Sequence, residues 1–202
     1  MSKENNYSGY KYIVIDTETT GVDRKLNDIF QLSGIITDTD LNILEKFDFT
    51  FRPISLDHID TGASEITGMT REKLENLQMS APQTYHEFIK ILSQYCNKYD
   101  KTDKMQMVAY NAQFDSEFIR EFFIKNGDNY FGSWFWTPAI CVMQASAWFT
   151  QRVRGALPNF KLATVCKSAG IKFEEDEAHN SLYDVEKTLE LFKYIKNYVP
   201  VL

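Results

Sequence analysis

YKYIVIDTETTG, residues 10–21, is an apolar run that leads directly into two acidic residues. The run from Tyr12 to Ile15 has β-branched and aromatic side chains without polar alternation, which is typical of a strand buried on both faces. Side chains alternate along a strand, so Asp16 and Glu18 point to the same side. Two carboxylates held this close repel each other and lose hydration, and a cation between them offsets both effects. Mg²⁺ or Mn²⁺, which take oxygen ligands, are the expected ions.

A second interpretation of this stretch is a solvated turn at the end of a strand. Thr19-Thr20-Gly21 has the residue types of a turn, and acidic residues are common in such places. The metal interpretation therefore depends on partner carboxylates and a base further along the chain.

Length and composition predict one soluble domain. The chain has 202 residues, of which 44% are hydrophobic and 14% aromatic, enough for a packed core. No apolar run approaches the roughly 20 residues of a membrane span, and polar residues 1–9 lack a signal-peptide segment and are expected to be flexible. Cys96, Cys141 and Cys166 are too widely spaced to suggest disulfides or a zinc site. We expect one cytoplasmic domain over residues 1–202, with no membrane partner.

Charge is unevenly distributed along the chain. The net charge of −6 argues against binding nucleic acid by bulk charge alone. Residues 129–173, however, contain no Asp or Glu and five basic side chains. Such a segment suits local contacts with phosphates, and ordinary solvated side chains are an equally good interpretation. The five are Arg152, Arg154, Lys161, Lys167 and Lys172.

The hydrophobic periodicity predicts an α/β sandwich with a mixed sheet. After the first strand, residues 29–37 and 42–51 predict a hairpin, residues 105–110 a short buried strand, and residues 130–136 a fifth strand. In such sheets ligands lie at the carboxyl ends of parallel strands. Helices are expected at residues 63–67, 70–76, 84–99 (opened by a Thr84-x-x-Glu87 box), from Asn111 through Lys125, and at 138–149, 161–169 and 181–198.

Three more polar residues follow predicted strands or open helices. Asp115 lies just after the buried strand at 105–110, where it also suits the helix dipole. Asp184 lies in the first turn of the last helix, and Ser181-x-x-Asp184 is close to a capping box. His179 could be a lone loop histidine. Five residues on a helix rotate by about 140°, so His179 and Asp184 share a cleft only if His179 precedes the helix.

Three polar patterns thus stand in order along the chain: Asp16-x-Glu18, Asn111-x-x-Phe114-Asp115 and His179-x-x-x-x-Asp184. Together they resemble the exonuclease motifs of the DEDDh family, the DnaQ-like 3′–5′ exonucleases, which include the proofreading subunit of bacterial replicative polymerases. The resemblance extends from the first strand to the last helix. It implies an RNase H-like, three-layer α/β/α fold with a five-stranded mixed sheet.

The resemblance also implies roles for individual residues. Two cations about 3.5–4 Å apart stabilise the attacking and leaving oxygens of a phosphodiester, and a histidine accepts the proton of the attacking water near neutral pH. One departure is Ser181, where family members often have alanine. The implied ligands of two Mg²⁺ or Mn²⁺ ions are Asp16, Glu18, Asp115 and Asp184; the implied base is His179; the implied contacts to the terminal nucleotide are Thr19, Thr20, Gly21, Asn111 and Phe114.

The implied activity is metal-dependent 3′–5′ exonucleolytic release of nucleoside 5′-monophosphates. Single-stranded DNA is favoured as the substrate over RNA, and the 3′ end of either is the expected partner. An exoribonuclease is the first alternative, because a contact to the 2′-hydroxyl depends on local shape. A catalytically inactive nucleic-acid-binding module is the second, and the presence of all five polar residues argues against it. A DNA polymerase subunit stays open as a partner, and no oligomeric state is predicted.

Overall fold

A five-stranded mixed sheet lies at the centre of the computed structural model, which describes residues 9–198. Its strand order is β3-β2-β1-β4-β5, with β1 antiparallel to β2 and parallel to β4. The mixed α/β architecture predicted from the sequence is confirmed. The strands are β1 Lys11–Thr19, β2 Ile29–Thr37, β3 Ile43–Thr50, β4 Met105–Ala109 and β5 Phe135–Cys141.

Helices cover both faces of the sheet and make two separate hydrophobic clusters. Because side chains of β1 alternate, Ile13 and Ile15 face a cluster with α3 and α4, whereas Val14 faces a cluster with α5, α6 and α7. The sheet is thus the middle of three layers. The helices are α1 Thr61–Thr67, α2 Arg71–Glu75, α3 Ala81–Tyr95, α4 Ala112–Lys125, α5 Val142–Phe149, α6 Leu162–Ser168 and α7 Ser181–Lys196.

Several local predictions are confirmed at the level of single residues. The second strand has the predicted bounds. Gly68 ends α1 in the left-handed conformation, with φ of 68°, and Thr70 caps α2 by accepting from the backbone N–H of Lys73. The three cysteines are free thiols.

The predicted start of α3 at Thr84 is wrong. The helix begins three residues earlier, at Ala81, and Ser80 is its N-cap, with its N–H donating to Gln83 Oε1 at 3.0 Å. Pro82 fits the first turn, where no backbone donor is needed. Thr84 is fully buried in the second turn, and the helix ends at Tyr95 rather than near residue 99.

The predicted position of the fifth strand is also wrong. A 3₁₀ turn occupies Phe131–Ser133, and the strand runs from Phe135 to Cys141. The helix that was expected from Pro138 therefore begins at Val142. The physical reason is that β5 is an edge strand, where a proline without an N–H is tolerated.

Two further expectations concern the ends of the chain and the membrane. Residues 1–8 of the expected flexible N-terminus lie outside the described residues. Between residues 9 and 198, no helix is both long enough and apolar enough to cross a bilayer.

A close contact between β2 and β3 gives a test of the sheet. Gly34 pairs with Phe47, and a Cβ at Gly34 would lie 2.3 Å from the Phe47 ring. That ring packs against Phe88 with centroids 5.4 Å apart, so it has no free direction in which to move. We expect Gly34→Ala to lower the free energy of unfolding in urea by about 1–3 kcal/mol.

Gly62 provides the matched control for this substitution. A Cβ there meets nothing within 4 Å, so Gly62→Ala should leave the free energy of unfolding within about 0.5 kcal/mol of wild type or raise it slightly. Equal effects of the two substitutions would contradict the packing described.

A candidate active site at the carboxyl edge of the sheet

The central strand β1 brings the first two acidic residues to the edge of the sheet. Asp16 and Glu18 alternate with buried residues of β1 and lie on the side covered by α7. Both carboxylates are close enough to Asp184 of α7 to interact electrostatically with it. The shared orientation expected from the strand pattern is therefore present.

Asp115 reaches the same place from the opposite layer. It lies in the first turn of α4 and is 3% exposed. Its Oδ1 accepts hydrogen bonds from the backbone N–H of Thr17 at 3.1 Å and from Thr17 Oγ1 at 3.0 Å. Thr17 lies between the two acidic residues of β1, so these bonds hold the Asp115 carboxylate against the end of the strand. Among the neighbouring charges, Asp115 has the largest influence on Asp16.

The last helix places His179 and Asp184 in the same cleft as Glu18. Asp184 lies in the first turn of α7, and His179 precedes the helix. The backbone N–H of His179 donates to Asp184 Oδ2 at 3.3 Å. One potential ligand atom from each of Glu18, His179 and Asp184 lies within 4.8 Å of the others. The five residues expected at the site thus converge at one edge of the sheet.

Ser181 does not have the capping role suggested by its sequence pattern. Asn180 is the N-cap of α7, and its side chain accepts from the backbone N–H of Tyr183. Ser181 is fully buried, and its Oγ donates to the backbone carbonyl of Asp16 at 3.0 Å. Its hydroxyl therefore ties the start of α7 to the end of β1.

The backbone of His179 is in the left-handed region, with φ of 67°. Histidine is among the residues enriched there, yet the conformation is uncommon outside glycine and costs free energy. The side chain is exposed. Such conformations occur where the surroundings fix a residue for a function, and here the bond to Asp184 helps to fix it.

The four carboxyl groups of the site all have raised pKa values. Burial, followed by repulsion from Asp184 and Asp115, raises the pKa of Glu18 to about 8. Burial raises the pKa of Asp115 to about 7 and that of Asp184 to about 6. For Asp16, burial and the three neighbouring carboxylates raise the pKa well above its usual value. The fold thus places four carboxyl groups where burial and mutual repulsion disfavour their ionised forms.

The donor set fits a hard divalent cation. Asp184 Oδ1 is buried without a hydrogen-bond partner in the part of the chain that the structure describes. Among residues 9–198, none of the four carboxylates forms an ion pair with a lysine or arginine side chain. Carboxylate oxygens are the ligands that Mg²⁺ and Mn²⁺ take in proteins. An orphaned buried oxygen among unpaired carboxylates is what such an ion would satisfy.

The turn after Glu18 is held by its own hydroxyls. Thr19 Oγ1 donates to the carbonyl of Gly21 at 2.6 Å, and Thr20 Oγ1 donates to the carbonyl of His58 at 3.1 Å. Both threonines are buried, so we assign their hydroxyls to the turn rather than to a substrate. At Gly21 a Cβ would lie 2.2 Å from Asp60 Oδ2, and the position therefore requires glycine.

The two remaining expected substrate contacts lie at the start of α4. Asn111 occupies the N-cap position, is exposed, and makes no side-chain capping bond. Phe114 is partly buried and packs against Phe118, with ring centroids 4.7 Å apart. Asn111 is therefore accessible at the edge of the site, whereas Phe114 is at least in part a core residue.

Sequence reasoning missed the supporting roles of Thr17 and Ser181. Thr17 gave no signal beyond its place between two acids, and its partner is 98 residues away. Ser181 gave one signal, its departure from the alanine that the resemblance implies at this position. The Ser181 hydroxyl is the group that contacts Asp16.

Comparison with known proteins gives a family match over most of the chain. The model of the Exonuclease family matches residues 13–192. Ribonuclease T of Photobacterium profundum is 29% identical, and the match covers 96% of this chain and 85% of that protein. Ribonuclease T of Photorhabdus laumondii is 27% identical over 92% of this chain and 83% of its own length.

Solved structures of E. coli exonuclease I have the same fold. The zinc-bound complex with single-stranded DNA superposes with a TM-score of 0.75 at 23% identity, covering 94% of this chain and 41% of that one. The complex with a dT13 oligonucleotide gives 0.74 at 23% identity, covering 93% of this chain and 41% of that one. The chain thus spans about two fifths of the exonuclease I chain.

The raised pKa values predict how metal-free stability changes with pH. Unfolded carboxyls titrate near about pH 4, so below that value the site carboxyls are neutral in both states. As pH rises, the unfolded state ionises first, and stability is lost until pH passes the folded pKa values of about 6 to about 8. We expect the thermal midpoint in chelator to fall by about 5 °C or more between about pH 5 and about pH 8.

Two controls accompany this measurement. Glu18→Gln should flatten the pH dependence, whereas Glu65→Gln, at an exposed position on α1, should leave it unchanged. Adding Mg²⁺ or Mn²⁺ should raise the midpoint more at the higher pH, because protons compete with the ion for the carboxylates. A midpoint in chelator that rises over this pH range would contradict the electrostatics described.

Proposed function

The chain belongs to the Exonuclease family, as a DEDDh enzyme of the RNase H-like superfamily, and from this premise we propose that it is a metal-dependent 3′–5′ exonuclease. In this proposal it hydrolyses phosphodiester bonds from the 3′ end of single-stranded DNA and releases nucleoside 5′-monophosphates. The observation that carries the proposal is the convergence of four carboxylates and His179 at one edge of the sheet.

The metal-binding part of the proposal rests on the carboxylates. Asp16, Glu18, Asp115 and Asp184 would hold two Mg²⁺ or Mn²⁺ ions. The chemistry that such ions supply when bound is stabilisation of negative charge on the attacking and leaving oxygens of the phosphodiester. Four carboxylates also match the charge of two divalent ions, so the pair would be close to neutral before the phosphate arrives.

His179 would act as the general base. Its imidazole accepts a proton from the attacking water near neutral pH and, being exposed, returns it to solvent. The bond from its backbone N–H to Asp184 holds the backbone of His179 beside the carboxylates. Thr17 and Ser181 do not touch the substrate in this proposal, and they position Asp115 and Asp16 through hydrogen bonds.

DNA is the first candidate substrate, and RNA is the second. The solved exonuclease I neighbours include complexes with single-stranded DNA. The relatives that match over most of their own length are named Ribonuclease T, which supports an exoribonuclease as the alternative. Asn111 at the accessible edge of the site is our candidate for contact with the terminal nucleotide, and Phe114 and the backbone of the Thr19-Thr20-Gly21 turn are further candidates. An inactive binding module is disfavoured, since all five polar residues are present.

Two broader predictions belong to the same proposal. The sheet and its two flanking clusters support one exonuclease domain over residues 1–202. A DNA polymerase subunit as a partner stays a prediction.

End-blocked oligonucleotides test the proposed activity. With Mg²⁺ or Mn²⁺, a 5′-labelled single-stranded DNA should shorten stepwise from its 3′ end, and the products should be 5′-monophosphates. A 3′-blocked strand and a chelator-treated reaction should show no digestion, and duplex DNA should be cut more slowly. Digestion of the 3′-blocked strand alone would overturn the proposed direction. Faster digestion of matched RNA would favour the second candidate.

Asp16→Ala is the inactive control for this assay. It removes one of several repelling carboxylates, so turnover should fall by about 10³-fold or more while the thermal midpoint does not fall. Asp40→Ala, in the exposed β2–β3 turn, is the matched control and should have wild-type activity. Normal turnover by Asp16→Ala would mean that this carboxylate has no part in the reaction.

His179→Ala tests the general base separately from the metal ligands. We expect the rate near neutral pH to fall by about 10²–10⁴-fold, while Mn²⁺ affinity measured by calorimetry stays within about threefold of wild type. His86→Ala, at an exposed position on α3, is the matched control. An unchanged rate for His179→Ala would exclude the histidine as the base.

A further inference from the structure

The segment between α5 and α6 leaves the edge of the site and then returns to it. Tyr110 directly precedes the start of α4, and its carbonyl accepts from the backbone N–H of Met143 at the beginning of α5. Its Oη donates to the carbonyl of Phe160 at 2.7 Å, at the far end of the segment. Residues 150–161 therefore form a loop, here called the basic loop, that is tied at its return to the residue next to Asn111.

The return of this loop and the segment that carries His179 rest on the same hydrophobic cluster. Phe160 and Ala178 belong to the hydrophobic cluster on the α7 side of the sheet, and Ala178 directly precedes His179. The basic loop is thus bonded to the residue next to Asn111, and it rests on the cluster that also supports the segment before α7. A nucleic-acid strand whose 3′ end lies in the active site would run next to the basic loop if it leaves the site on the α5 side.

The five basic residues of this region divide into two groups. Lys167 and Lys172 form ion pairs with Glu175 and Glu174 of the acidic run. The other three are exposed and, within residues 9–198, form no ion pair with an acidic side chain. These three, all in the basic loop, are Arg152, Arg154 and Lys161.

Arg154 is held in place rather than free in solvent. Its guanidinium carbon lies 4.1 Å from the centroid of the Phe160 ring. Stacking on an aromatic face leaves the guanidinium N–H groups free to bind a phosphate in a two-point geometry. Because the backbone carbonyl of Phe160 accepts the bond from Tyr110, the residue on which the arginine stacks is held beside the start of α4.

We propose that Arg152, Arg154 and Lys161 bind the backbone phosphates of the nucleotides that precede the terminal one in a single-stranded substrate. This inference rests on the proposed function and adds the surface that the rest of the strand contacts. α5 begins beside Tyr110 and has eight residues, so it is about 12 Å long and sets the reach of the loop that follows it. Stacked phosphates are about 3.4 Å apart along one strand, and the surface therefore suits about three to four nucleotides.

A length series of oligonucleotides tests this surface. The variant is Arg152→Ala/Arg154→Ala/Lys161→Ala, and the measurement is kcat/KM on a dinucleotide, a tetranucleotide, a hexanucleotide and a dodecanucleotide of the strand type that wild type hydrolyses. The loss should grow with length, from less than about twofold on the dinucleotide to about tenfold or more on the hexanucleotide, and then level off. The slope of log kcat/KM against log salt should become about 2 less steep, at about 0.7 per phosphate contact.

Controls separate this inference from the proposed function and from misfolding. Lys167→Ala/Lys172→Ala, which removes the two paired lysines, should keep the wild-type length dependence. Arg154→Gln, which keeps most of the packing on Phe160, should show the same trend at about threefold, and it replaces the triple variant if that variant unfolds. A loss independent of length, or no loss, would overturn the inference. Failure of the wild-type protein to hydrolyse any nucleic-acid strand would overturn the proposed function instead. If the basic loop binds acidic peptides and its substitution does not affect oligonucleotide hydrolysis, the loop has a protein partner and the nucleic-acid surface is refuted.

Discussion

Repulsion among carboxylates at the end of β1 is the constraint on which the rest of the structure depends. Asp16, Glu18, Asp115 and Asp184 share a space that raises the pKa of each, and no basic side chain among residues 9–198 forms an ion pair with them. A fold selected for stability alone would not keep such a group. Protonation or a bound cation would relieve this repulsion, so the same electrostatic strain that weakens the metal-free protein at higher pH favours cation binding.

Both helical layers supply residues to the site. Asp115 comes from α4 on one face of the sheet, whereas His179 and Asp184 come from the start of α7 on the other. The edge of the sheet at β1 is where both layers meet. Hydrogen bonds from Thr17 and Ser181 cross this edge and fix each layer to the strand. Either hydrophobic cluster can therefore affect the geometry of the carboxylates.

Charge in this protein is arranged locally rather than in bulk. The net charge is −6, yet the segment that follows β5 is basic. Lys167 of α6 and Lys172, which follows α6, form ion pairs with Glu175 and Glu174 of the acidic run before His179. These pairs hold the acidic run against the C-terminal end of α6. The remaining cations lie on the loop tied to Tyr110. An acidic protein can in this way meet a polyanion through a small surface while the rest of it repels nonspecific binding.

The sequence by itself determined the identity and order of the acidic residues, the buried strand β1, the bounds of β2 and the caps of α1 and α2, because these depend on neighbours a few residues apart. It did not determine the start of α3, the position of β5 or the partner of Ser181. Pro138 is acceptable in a strand only because β5 has a free edge, and the Ser181 hydroxyl meets a carbonyl 165 residues away. Periodicity encodes which side of a strand or helix is buried. Which groups meet across the sheet is decided by packing between layers, and only the tertiary structure contains that information.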